Sequence, residues 1–336
     1  MRPVEVDWQP ALECARFERI RKNPNEQPLV DTSSGSIVPS WDEAKGQPYI
    51  KGVYVRFDDD LDQDCGMLIP SSIFKDYAKQ LSCQLVQEGK LELGETFQYR
   101  VCAYSQPPAT ALASPSPAID LTIEPLLQPL DLVEQRLDVF TTPCEKYGPA
   151  CTDEPPVFIP RRVLQEAVRL TERAGAVETG GVLIGHLYRD PQSSVVYVRV
   201  TAQVPARHAE QSLTKLTFTP QVWAHVEAAI GLRKRNEIYL GWWHSHPARQ
   251  WCKDCPIENR KRCKLSGEFF SGDDAALHRC VFPRAYSVAL VISDSYATGL
   301  TWPLFGWNRG VIMQRGYLIC DDEAALHPVA NTVVNH

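Results

Sequence analysis

No stretch of this 336-residue chain stays apolar for the roughly 20 residues that a membrane-spanning helix needs. The opening run, MRPVEVDWQPALECARFERI, places acids at Glu5, Asp7, Glu13 and Glu18 and holds no apolar signal core, so a cytoplasmic location is expected. Positive charge is also in short supply. Lys and Arg number 35 against 41 Asp and Glu, and the net charge of -6 argues against a general nucleic-acid binder, which gains its affinity by neutralising phosphates. No glycine-rich phosphate loop follows a strand pattern, which argues against a nucleotide enzyme. No internal repeat stands out. What remains is an ordinary globular composition, 44% hydrophobic and 23% charged, in a chain long enough for two domains with separate cores. Eleven cysteines in a reducing compartment point to thiols and metal ligands before disulfides.

Residues 1–125 read as a small mixed α/β unit. Pro48 to Phe57 is rich in β-branched and aromatic residues and predicts a strand, closed by a solvated turn at Asp58, Asp59 and Asp60. Ile73, Tyr77 and Leu81 follow helical spacing, and Glu95 to Tyr104 alternates as a second strand would. Gln106 to Ala118, rich in Pro, Ala and Ser, reads as a loop or linker. Between residues 126 and 156 the spacing of Leu130, Val133, Leu137 and Phe140 predicts a connecting helix. A second linker follows from Thr141 to Pro156, with Cys144 and Cys151.

The third segment, 157–325, alternates strand and helix patterns as an α/β domain does. Pro160 and Arg161 open an amphipathic helix carrying Val163, Leu164, Ala167, Val168 and Leu170. Val182 to Leu187, Val195 to Val200 and Ser287 to Ser293 read as strands, and Pro220 to Ile230 as a helix with Thr219 at its cap.

The chemistry concentrates between Gly241 and Asp274. Ile238 to His244 is β-prone and apolar, and strand side chains alternate faces, so His244 and His246 point the same way as a chelating pair. Pro247 then ends the strand. Ser271-Gly272-Asp273-Asp274 opens a helix with Ser271 at the N-cap and carboxylates in its first turn. A catalytic zinc takes three protein ligands and keeps one open position. Asp274, rather than Asp273, is the candidate third ligand. Glu178, just before Gly180-Gly181 and an apolar strand, is a candidate base, because the two glycines let backbones approach closely. Taken singly, Ser-x-x-Asp is an ordinary capping box and Glu178 an ordinary loop residue.

In combination and in this order, Glu178-Thr179-Gly180-Gly181, Gly241-Trp242-Trp243-His244-Ser245-His246-Pro247 and Ser271-x-x-Asp274 resemble the signature of the JAMM/MPN+ zinc metallo-isopeptidases, over most of residues 157 to 320. The resemblance implies that His244, His246 and Asp274 bind the catalytic zinc, that Glu178 is the general base and that Ser271 stabilises the tetrahedral intermediate. It also implies a mixed sheet flanked by helices. The expected architecture is therefore α/β, a JAMM/MPN-like C-terminal domain with a separate, smaller mixed α/β N-terminal domain. Family members release ubiquitin or ubiquitin-like proteins from lysines or from C-terminal extensions. The short motifs look most like prokaryotic members, some of which accompany activating and conjugating enzymes. A bacterial deconjugating or maturing isopeptidase is the leading expectation, its N-terminal region binding the modifier or the target. A hydrolase of ubiquitin-like sulfur carriers and a non-catalytic scaffold are the alternatives.

This chain departs from the family in an insertion, residues 248–270. Cys252, Cys255 and Cys263 have the close spacing of a zinc or iron-sulfur site, and Cys280 or His278 is placed to complete a second, structural zinc, ahead of Cys144 and Cys151. A polar loop with little apolar content needs such a tie. Arg249, Lys253, Arg260, Lys261, Arg262 and Lys264 make the loop basic, a solvated face that could also receive an acidic substrate surface. A nucleic-acid module built on the cysteines is disfavoured by the acidic balance.

Overall fold

The computed structural model describes residues 6–22, 35–42, 49–57, 66–92, 95, 97–99, 101, 130, 132–138, 144–150, 154–207, 210–211, 216–261, 263 and 268–321. The expected linker at 106–118, the acids at 58–60, Cys151, Arg262 and Lys264 lie outside them. The chain divides into two units, one of residues 1–16, 25–130 and 309–311, the other of 17–24, 131–308 and 312–336. No helix among the described residues is long and apolar enough to cross a membrane.

The helix α1 (Gln9–Lys22) contributes its first turns to the smaller unit, whose sheet is β1 (Gly35–Asp42), β2 (Tyr49–Phe57) and β3 (Met67–Pro70), antiparallel throughout. Val53, Val55 and Phe57 sit two apart on β2, so they share a face, and they bury together with Ile69, Ile73, Phe74, Ala11 and Ala15. A single helical turn at Ser71–Phe74 runs into α2 (Lys75–Gln87), where the apolar spacing predicts a helix. The strand expected over 95–104 does not form at its described positions. Phe97 and Tyr99 are exposed, and contact with β2 is made by the Val101 carbonyl, which accepts from Ile50 N at 3.4 Å. Alternation favours a strand, but only a ladder partner makes one.

The larger unit begins with two strands where a helix and a linker are expected. Leu132–Glu134 is β4, parallel to β7 (Gly180–Arg189), and Cys144–Tyr147 is β5, antiparallel to β16 (Tyr317–Cys320). Both are short, and their pairing is set by chain distant in sequence, which local spacing cannot register. Between them and β16 come β6 (Val157–Pro160), α3 (Arg161–Ala174), β7, β8 (Val196–Pro205), β9 (Glu210–Gln211) and β10 (Leu216–Thr217). There follow α4 (Pro220–Arg233), β11 (Ile238–His246), the short α5 (Ala248–Trp251) and α6 (Ile257–Arg260), and α7 (Gly272–Val281). The last strands before β16 are β12 (Val288–Ser295), β13 (Gly299–Thr301), β14 (Leu304–Asn308) and β15 (Val311–Arg315).

These strands make one mixed, eleven-stranded sheet, ordered β15-β14-β12-β11-β7-β8-β6-β16-β5, with β13 on β12 and β4 on β7. Beside it β9 and β10 form a separate pair. The fold is thus mixed α/β, a large sheet with helices plus a smaller N-terminal sheet. Helices cover both faces of the large sheet. Val222 and Val226 of α4 pack on Val182, Ile184 and Val204, in the cluster that also takes in Phe218 and Trp223 beside Trp242. Trp243, next along β11, points the other way and donates to Gln203 Oε1 at 3.1 Å, and Gln203 in turn reaches Glu166 of α3. On that face α3 buries Val163, Leu164, Ala167 and Thr171.

The central strand β11 lies between antiparallel β7 and parallel β12. A bulge between Tyr239 and Gly241 resets its register, after which Trp242, His244 and His246 share one face. Gly241, at φ +152, is required there, since a Cβ would sit 1.8 Å from the Val288 carbonyl oxygen.

Candidate metal centre

The ends of four elements meet beside His246. β11 and β12 are parallel and finish on the same side, β7 starts there, and α7 begins there. His244 is opposite Gly180 in the β11–β7 ladder, and two further bonds extend the pairing past it: Ser245 N donates to the Thr179 carbonyl at 2.9 Å and Thr179 N donates to Ser245 Oγ at 3.0 Å. The loop that carries Glu178 is thereby fastened to the strand that carries both histidines. Ser245 was not among the candidate site residues. The signal for it is the same alternation that aligns the histidines, because the residue between them must face the other way.

The imidazoles of His244 and His246 are fully or almost fully buried, and their Nε2 atoms lie 3.0 Å apart. Asp274 approaches both, Oδ1 at 3.2 Å from His244 Nε2 and Oδ2 at 3.6 Å from His246 Nε2. Among the described residues, these three form the one group of at least three His, Cys, Asp or Glu side chains whose ligand atoms all lie within 4.8 Å of each other. Two imidazole nitrogens at about 2.0 to 2.1 Å and a carboxylate oxygen at about 2.0 to 2.2 Å from one ion would be separated by similar distances, so the donor set fits a metal of the zinc class.

Asp274 is aimed by the helix start. It is the third residue of α7, Ser271 is the N-cap, and a reciprocal capping box joins them: Asp274 N donates to Ser271 Oγ at 3.0 Å, and Ser271 N donates to Asp274 Oδ2 at 2.8 Å. The carboxylate therefore caps the helix and faces the imidazoles at once, whereas Asp273 is exposed. Burial alone would raise the Asp274 pKa, but the adjacent imidazoles, His244 first, hold it well below the usual carboxylate range. Burial pushes His246 below its ordinary value against the pull of Asp274, which leaves it neutral at pH 7, as a ligand must be.

Glu178 is buried, 5% exposed, and its pKa is raised to about 7, chiefly by desolvation; nearby His244 lowers it, and the carboxylates of Asp274 and Asp273 raise it further. Ser271 is half-buried, and its hydroxyl accepts from the helix, so its own proton remains available to a ligand.

Aromatic rings set the imidazoles in place. Trp242 stacks on His244 with centroids 4.5 Å apart, and Phe269 stacks on His246 at 4.4 Å. Trp242 is itself oriented by its Nε1–H, which donates to His278 Nδ1 at 3.1 Å. This corrects the expectation that His278 joins the cysteines. His278 lies one turn beyond Asp274 on the same helix face, so it enters the core, where burial and the Arg279 charge lower its pKa to about 3. Cys280, two residues on, is exposed, and it does not gather with Cys252, Cys255 and Cys263. Cys144 sits instead on β5, with its sulfur 2.7 Å from Cys320 across the ladder.

The basic insertion is less free than its sequence implies. Arg249 donates to Asp294 and to the Ser295 carbonyl, Arg260 donates to the Cys255 carbonyl, and both guanidinium groups lie over the Tyr296 ring, at 5.3 and 5.1 Å. Lys253 and Lys261 are exposed.

Residues 160–250 match the model of a family described as prokaryotic homologs of the JAB domain. That segment is therefore similar to a JAB-type domain. It contains Glu178, His244 and His246 and ends before Ser271 and Asp274. The chain is also similar to a solved structure, that of protein DSY2949 from Desulfitobacterium hafniense, at 19% identity and a TM-score of 0.36, covering 51% of this chain and 99% of that one. No curated protein matches it.

Removing the Ser245 hydroxyl tests the fastening of the Glu178 loop. Ser245→Ala leaves Thr179 N without this acceptor, which costs about 1 to 2 kcal/mol, so hydrogen exchange at the Thr179 amide should quicken roughly tenfold. Unchanged exchange would show that the loop is held elsewhere.

Proposed function

We propose that the larger unit is a zinc-dependent isopeptidase that releases a ubiquitin-like protein from its conjugates or from a C-terminal extension. The observation that carries this reading is the convergence of His244, His246 and Asp274 beside a second, buried carboxylate whose pKa is raised to about 7. Three protein ligands that leave one position for water, with an adjacent base, are the requirements of hydrolysis at a zinc.

When bound, zinc acidifies a water and polarises the scissile carbonyl. The chain supplies the rest. Glu178 takes a proton at its carboxylate and returns it to the leaving amine. Ser271 donates its hydroxyl proton to the developing oxyanion, its lone pair being held by Asp274 N. Phe269 and Trp242, stacked on the histidines, exclude water from their faces. The JAB-domain match supports the class of reaction, and the resemblance of the motifs to the isopeptidases supports the modifier as substrate. Activating and conjugating enzymes of the same modification system are the proposed partners, and the smaller unit is the proposed docking site for modifier or target.

The test is metal content read beside cleavage of a ubiquitin-like fusion. The full chain should lose turnover on chelation and regain it with zinc, while His246→Ala should bind about one equivalent less and stay inactive. Equal metal content in the parent and in His246→Ala would reject the proposal.

A further inference from the structure

The insertion between His246 and Ser271 is pinned at its two ends, and its described middle buries little. At the first end Trp251 Nε1 donates to the Ala176 carbonyl at 3.1 Å and Arg249 is bound to Asp294. At the second, Phe269 lies on His246 and Phe270 stacks on Phe305 at 4.8 Å. Between these anchors the described side chains of 253, 254, 256–259 and 261 are exposed, and Ile257, at 78%, contributes nothing to a core. Cys252 is the exception. It is 1% exposed, and the other two thiols of the segment come to it. Its sulfur is 3.4 Å from that of Cys263, and Cys255 reaches it across a tight turn in which Cys255 N donates to the Cys252 carbonyl at 3.1 Å. Arg260 steadies the same turn through the Cys255 carbonyl.

A C-x-x-C turn closed by a third, distant cysteine is how short polar segments hold a zinc-class ion, because each sulfur bonds at about 2.3 Å and so approaches its neighbours to under 4 Å. The energy of ligation then does what an apolar core would do for the described part of the segment. We propose that Cys252, Cys255 and Cys263 bind a second divalent cation of the zinc class as thiolates, separately from His244, His246 and Asp274, and that this ion holds the insertion against the metal centre. On binding, three S–H protons pass to solvent and three sulfur–metal bonds form, with no change of oxidation state. Cys255 and Cys263, each a neighbour of Cys252, must close on one another, since the three sulfurs do not yet all lie within 4.8 Å of each other. Cys280, exposed on α7, does not supply a fourth ligand.

Cobalt(II) is the probe, because it gives a strong thiolate-to-metal charge-transfer absorption that a His₂Asp site lacks. The full chain, purified reduced, should show this band and bind about two equivalents of metal. His246→Ala should keep the band and lose one equivalent, and the Cys252→Ser, Cys263→Ser double variant should lose the band and keep one. Since the double variant could loosen the insertion, the unaltered protein supplies a second reading: zinc should slow alkylation of the three thiols at least tenfold, and a chelator should restore it. Absence of the band in the parent, alkylation indifferent to zinc, or a Cys252–Cys263 disulfide persisting under reductant would each overturn the proposal. A band that survives where the histidine site binds no metal would reject the isopeptidase reading alone and leave this one standing.

Discussion

Glu178→Gln should keep its zinc and lose turnover by about 10² to 10⁴-fold, the contribution of a positioned general base. The amide is nearly the same size as the carboxyl it replaces, so the buried site stays packed and only proton transfer is removed. The pH profile should change with it. A base works when unprotonated, so the parent's kcat/KM should rise with pH through a limb set by Glu178. Desolvation places that pKa at about 7 in the metal-free protein, and a bound dication lowers it, so the limb should fall at or below pH 7. Glu178→Gln should have no such limb.

A check independent of activity follows from the same shift. Its folded pKa, about 7, lies above the ordinary 4.5, so the stabilising, protonated form is fully present below pH 4.5 and is lost as pH rises through 7. Metal-free Glu178→Gln should therefore be more stable than the parent above pH 7, by up to about 3 kcal/mol, and should converge with it in acid. Denaturation at pH 5 and pH 8 measures the difference. Full turnover in the variant would remove Glu178 from the chemistry, and equal stability at both pH values would show that its carboxyl is solvated.

How far the sequence reveals this arrangement depends on how local each determinant is. The run Ile238 to His246 is legible because apolar β-prone residues, a period of two and Pro247 all concern one segment, and the same period aligns the imidazoles. The helices α3 and α4 are legible from amphipathic spacing and from a proline at the first turn of α4. The strands β4 and β5 are not. Leu130, Val133 and Leu137 are spaced as on a helix, and Cys144-Glu145-Lys146-Tyr147 is polar and hemmed by prolines; only β7 and β16, some 50 and 170 residues on, make strands of them. The site divides in the same way. Ser271 and Asp274 can be paired from a capping pattern four residues long, but the loop that carries Glu178 is fastened by Ser245, 67 positions away, and the placement of His278 depends on which helix face already carries Asp274. The residues placed to hold a metal are thus written locally, while the residues that orient them are chosen by the fold.

Asp274→Asn separates the two roles that the fold assigns to one side chain. The amide keeps a carbonyl oxygen that can accept from Ser271 N, so the start of α7 should survive, with a stability change within about 1 kcal/mol in metal-free protein. What disappears is the charge that faces His244 Nε2 at 3.2 Å. Loss of groups that merely support a metal ligand costs about 10 to 100-fold in affinity, so losing the ligand itself should weaken zinc binding by more than about 100-fold, with turnover gone at ordinary zinc concentrations. Ser271→Ala should do the opposite. It removes the cap acceptor for Asp274 N, costing about 1 kcal/mol, and the oxyanion donor, costing about 10² to 10³ in kcat, while zinc stays bound. Asp273→Asn, exposed one position earlier, should leave both metal affinity and turnover near the parent's. Competition titration against a chelator, read beside thermal unfolding of the metal-free variants, orders the three. Zinc affinity in Asp274→Asn equal to the parent's would show that the carboxylate is a helix cap only, and the metal centre would then be short of its third ligand.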